Sequence, residues 1–137
     1  MTRFLLDTNI ISYLVRGDYP ALDLKFNERK NHCVISTICE AETRFGLALL
    51  PREAKITAPT ERFLRIIAIQ PWDSDCAVQY ALLAAKQKRL GKPLATMDAL
   101  IAAHALAHDF VLISNDAAFR QVKGLKLEDW TKGPQRT

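Results

Sequence analysis

At 137 residues the chain is long enough for one domain with its own core, and 49% apolar with 25% charged residues is ordinary for a globular protein. The 19 basic and 15 acidic residues leave a formal charge of +4, a mild bias toward a polyanionic partner. No run approaches the roughly 18 apolar residues of a membrane span. Asp7 and Asn9 interrupt the one signal-like stretch, and Cys33, Cys39 and Cys76 have no close zinc-ligand spacing, so they read as reduced thiols of a cytoplasmic protein.

The chain opens with Phe4, Leu5 and Leu6, an unbroken apolar run that Asp7, Thr8 and Asn9 stop. Such a run predicts a strand buried on both faces. A helix over residues 8–16 follows, ended by Gly17, and Pro20 opens a second to about residue 30 with a solvated outer face. Cys33, Val34 and Ile35 predict the second strand. Ser36 or Thr37 then caps a helix over 37–49, with Thr37 and Glu40 spaced for a capping box. At 100° per residue, Ile38, Phe45 and Leu49 share a stripe with Glu42, while Glu40 and Arg44 lie opposite. Glu42 therefore reads as a carboxylate on a buried face, in need of a cation, a proton or a metal. A structural salt bridge satisfies the same need.

Residues 54–70 predict a helix running into a short strand, and Gln70, Pro71 and Trp72 a turn. Asp73, Ser74 and Asp75 cap a long helix to Leu90, which ends in the basic run Lys86, Lys88, Arg89 and Lys92, a solvated face or a phosphate-contacting patch. The helix from Thr96 is apolar nearly all round and must be largely buried. Asp98 in its first turn suits the helix dipole, yet no cation lies within one turn of it. His104 and His108 share a face at i, i+4. That spacing can bind zinc, but residue 105 is Ala, so the HExxH pattern is absent and packing is the plainer reading. Phe110 to Ile113 repeat the opening logic: a buried strand, then Ser114, Asn115 and Asp116. Residues 125–127 predict a last strand, and the polar residues 131–137 a disordered tail.

Alternating strands and helices predict an α/β fold with a mostly parallel sheet. Asp7 and Asp116 then stand at strand ends, where open α/β sheets bind ligands, though each also suits a helix cap. Together with Glu42 and Asp98 they form a candidate cluster that cannot fully ionise without a counter-charge. Oxygen-only ligands favour Mg²⁺ or Mn²⁺ over zinc, and such an ion allows an acidic pocket to act on a phosphodiester.

FLLDTNI at 4–10, STICEAETRFG at 36–46, ATMDALIAAHA at 95–105 and VLISNDAAF at 111–119 resemble, in order and spacing, the four motif blocks of PIN-domain proteins. Within that family they are most similar to the VapC toxins of bacterial type II toxin–antitoxin (VapBC) modules, along the whole chain to LKLEDW at 125–130. The resemblance implies a single PIN domain over 1–137, a PIN-like α/β/α sandwich with strand order 3-2-1-4-5, and a Mg²⁺- or Mn²⁺-dependent endoribonuclease. Its acidic positions match Asp7, Glu42, Asp98 and Asp116, the last being variable among relatives, and Ser114 matches a Ser/Thr position that orients water or metal. It further implies a homodimer, a cognate VapB-type antitoxin, operator DNA bound through the toxin–antitoxin complex, and transfer or ribosomal RNA as substrate. Among rivals, a haloacid-dehalogenase phosphatase requires DxDxT, whereas Asn9 stands at the third position here. A receiver domain requires an early acid pair and a late lysine. A non-catalytic toxin or co-repressor acting only through its partner has no use for a repulsive acidic cluster.

Overall fold

The computed structural model describes residues 1–133. Five short strands form one all-parallel sheet in the order β3-β2-β1-β4-β5. They are β1 (Phe4–Leu6), β2 (Cys33–Ser36), β3 (Ala68–Gln70), β4 (Val111–Ile113) and β5 (Leu127–Glu128). The helices are α1 (Thr8–Arg16), α2 (Pro20–Arg29), α3 (Thr37–Ala48), α4 (Thr57–Ile66), α5 (Ser74–Arg89) and α6 (Thr96–His108). β1 and β4 are central and buried along their whole length, which is why both read as unbroken apolar runs. Leu5 pairs with Leu112 and Leu6 with Ile113, so Asp7 and Ser114 emerge side by side beyond the last paired residues.

Local chemistry sets the helix ends. Asp7 caps α1, and Gly17, at φ 71°, closes it in the left-handed conformation that glycine takes without steric penalty. The cap of α3 is Ser36, whose hydroxyl accepts from the Ile38 N–H at 3.1 Å. The predicted Thr37 capping box is therefore not formed, and Glu40 pairs with Arg44 instead. α4 starts at Thr57, after turns over the preceding residues, rather than at 54. β5 lies two residues later than its apolar letters predict, because Val122 and Trp130 carry the burial at that edge.

The stripe predicted for α3 is corrected more substantially. Phe45 and Leu49 are exposed, at 65% and 70%. The fully buried residue of α3 is Cys39, on the face packed against the core, and Thr43 and Gly46 line a groove shared with α1. Glu42 stands between that packed face and the exposed apolar one and is half-buried. Of the predicted tail, Thr131 is held by Asp129 Oδ1 through its N–H at 2.9 Å and its hydroxyl at 2.6 Å, and residues 134–137 lie outside the described residues.

Candidate active site

Four elements deliver the candidate carboxylates: Asp7 from the end of β1, Glu42 from α3, Asp98 from the first turn of α6, and Asp116 from the loop after β4. Asp7 is 5% exposed, and the other three are half-buried. Capping and site chemistry share the same side chains. Asp7 Oδ1 accepts from the Thr8 N–H at 2.8 Å, and Oδ2 accepts from the Ser114 hydroxyl at 2.9 Å. The Ser114 oxygen accepts in turn from the Asp116 N–H at 3.0 Å, and Asp116 Oδ1 accepts from the Ala118 N–H at 2.9 Å. Ser114 thus fixes the orientation of Asp7 and of the loop that carries Asp116.

The missing partner of Glu42 is Thr8, whose hydroxyl donates to Oε1 at 2.6 Å. Thr8 follows Asp7 directly, so one residue holds the first carboxylate by its backbone and the second by its side chain. Sequence reading passed over Thr8. Its only signal was a hydroxyl in the first turn of the helix that the key aspartate caps. It also passed over Arg120, which shares a hollow with Ser114, Asn115 and Asp116.

Electrostatics shows that the acids feel one another. Burial pushes the Asp7 carboxyl up to about 6, against the lowering hydrogen bonds from Ser114 and Thr8, and Asp98 and Glu42 push it further in the same direction. Asp98 is also raised, first by burial and then by Asp116 and Glu42. Among the described residues, none of the four acids forms a salt bridge with a cation. No three of them offer oxygens within 4.8 Å of one another, a looser arrangement than four carboxylates held close. This uncompensated set of hard oxygen donors fits Mg²⁺, which ordinarily takes one or two carboxylates and keeps several waters.

Two surfaces adjoin these residues. A groove of about 230 Å³ runs beside Glu42 between α1, α3 and α4, lined among others by Ile11, Val15, Leu47 and Leu50. On the other side, Lys88 at the end of α5 shares a hollow with Thr96, the residue that opens α6 two positions before Asp98.

A parallel sheet in this order, with acids gathered at one edge from four separate elements, is the PIN-type α/β architecture. The PIN domain family model matches residues 4–125, and the chain belongs to that family. Within it the similarity is to the VapC group. The VapC ribonuclease Y4jK of Sinorhizobium fredii is 33% identical, over 90% of this chain and 94% of that protein. The tRNA(fMet)-specific endonuclease VapC of Shigella flexneri is 27% identical, over 96% and 100%. The crystal structure of DNA-bound VapBC from Salmonella typhimurium superposes with a TM-score of 0.88 at 26% identity, covering 95% of this chain and 99% of that one.

Proposed function

We propose that this chain is the endoribonuclease toxin of a toxin–antitoxin module, hydrolysing RNA phosphodiester bonds with Mg²⁺, or Mn²⁺ as substitute. The observation that carries the reading is the convergence of Asp7, Glu42, Asp98 and Asp116 on one region, none of them in a salt bridge among the described residues. Those four would hold the ion, which when bound supplies Lewis acidity toward the phosphate and the attacking water. The remaining work falls to the chain itself. Ser114 and Thr8 hold the carboxylates in fixed directions, which is the preorganisation that hydrolysis requires. Arg120 places a cation beside Asp116 for a phosphate oxygen. Lys88, which shares a hollow with Thr96 two residues before Asp98, and Lys92 are further cations for the RNA backbone.

The partner reading follows from the surface. Phe45, Leu49 and Leu50 are exposed beside the groove at Glu42, where an apolar segment of a cognate antitoxin would cover them and block the site. The similarity to VapBC supports that partner, and operator DNA bound through the complex. Val78 and Leu82, exposed one turn apart on α5, offer a face for a homodimer. Among the described residues no helix is long and apolar enough to cross a membrane.

Purified protein freed of its partner should cut a total small-RNA pool at discrete positions with Mg²⁺ and leave it intact with EDTA. Sequencing the ends separates transfer from ribosomal RNA as the target. A folded protein that cuts neither this pool nor ribosomes would leave the non-catalytic, partner-only reading. Replacing Lys88 and Lys92 by Ala should weaken RNA binding about equally across sequences and lower the salt slope by about 1 to 2, read by filter binding on an Asp7→Asn background. An unchanged slope would remove the basic run from the RNA path.

A further inference from the structure

α6 carries a second constellation, away from Asp98. His104 lies six residues along the helix, about 9 Å further down its axis, and His108 one turn beyond that. His104 is fully buried. Its Nδ1 lies 2.9 Å from the Ser36 hydroxyl oxygen, while Nε2 is buried without any hydrogen-bond partner among the described residues. A polar atom in that position is a standing cost unless something binds it. Facing it across the α5–α6 contact is the first turn of α5, where Cys76 is also fully buried. Cys76 Sγ and one ring nitrogen from each histidine lie within 4.8 Å of one another. Asp73, three residues before Cys76, holds His108 Nε2 at 2.9 Å through Oδ2.

We propose that Cys76, His104 and His108 form a zinc site that staples α5 to α6, with Asp73 as the carboxylate beside His108. One sulfur and two imidazole nitrogens supply three of the four donors of a tetrahedral zinc site, in contrast to the hard oxygens at Asp7. Ser36 supplies the outer hydrogen bond that ligating histidines ordinarily make: with Nδ1–H donated to its oxygen, the Nε2 lone pair is free for the metal. His108 and Asp73 are partly exposed and give the ion a way in, whereas Cys76 and His104 close the inner side. Binding takes Cys76 as the thiolate and releases its proton to solvent. Ala105 follows His104, so no glutamate stands where an HExxH protease keeps its base, and the site is structural rather than hydrolytic.

The probe is Co²⁺, titrated into the full chain after chelator treatment and followed by absorption. Wild type should bind one equivalent with a thiolate-to-cobalt charge-transfer band, displaced by Zn²⁺, and Zn²⁺ should raise the melting temperature. Cys76→Ser and the partly exposed His108→Gln should abolish the band, and Asp73→Asn should weaken binding about 10- to 100-fold. Asp7→Asn should leave the band intact, which separates this site from the carboxylate cluster. No band in folded wild type, or a band that survives Cys76→Ser, overturns the proposal. So does cobalt binding without the band that is lost in Asp7→Asn.

Discussion

Asp7→Asn should lower Mg²⁺-dependent RNA cleavage by at least about 10³-fold while the far-ultraviolet circular dichroism stays that of wild type. The size follows from the role proposed for Asp7. A bound divalent ion is worth several kcal/mol of transition-state stabilisation, and each 1.4 kcal/mol is tenfold in rate. The fold should survive because the amide keeps the acceptor that caps α1 at the Thr8 N–H, and Ser114 can accept from the new NH₂ group. Glu40→Gln is the matched control. It also neutralises an acid of α3, but Glu40 pairs with Arg44 at 3.0 Å on the outer side of the helix, so its loss should leave cleavage unchanged. Single-turnover cleavage of an end-labelled RNA reads both variants. Full metal-dependent activity in Asp7→Asn would dissolve the assignment of the site.

Which parts of this molecule could be read from letters alone has a physical pattern. β1 and β4 are buried on both faces, so they appear as unbroken apolar runs, and the first polar residue after each run is a strand-end residue whatever the tertiary details. Asp7 and Ser114 therefore stand at the ends of β1 and β4, with Asp116 two residues on. Asp98 was legible because an almost wholly apolar helix leaves a single acid conspicuous. Glu42 was selected on a stripe that the structure turns to solvent: Phe45 and Leu49 are exposed, and helical periodicity cannot distinguish an exposed apolar stripe from a core. Glu42 reaches the site because it flanks the packed face and meets Thr8. The links among Ser36, Asp73, Cys76, His104 and His108 span three separate elements, β2, α5 with its cap, and α6. No spacing rule joins them, so only the tertiary packing reveals that the i, i+4 histidines face a thiol and a carboxylate.

The stability of the metal-free protein should carry the signature of Asp7 in its dependence on pH. The folded-state pKa of about 6 lies above the ordinary value of 3.8, chiefly because burial penalises the carboxylate. Protonated Asp7 therefore favours folding. That advantage is whole below pH 3.8 and is lost as pH rises through 6, a change of about 3 kcal/mol at 1.36 kcal/mol per pH unit. His104 opposes it in nearly the same window. Burial lowers its pKa from 6.5 to about 4, so it contributes stability that is present above pH 6.5 and lost as pH falls through 4. Asp73, held down to about 2 by its hydrogen bond to His108, titrates below both. The two buried groups, Asp7 and His104, oppose each other in wild type between pH 4 and 6, and Asp98, also raised, adds to the Asp7 side. Asp7→Asn removes one of them. Its advantage over wild type should grow from near zero at pH 4 to about 3 kcal/mol at pH 7, roughly 10 °C in melting temperature. Its own curve should rise with pH as His104 becomes neutral in the unfolded chain. Chelator-treated samples melted at intervals across this range test the prediction. Parallel curves for the two proteins would mean that Asp7 ionises freely in the fold, without the burial penalty that raises it.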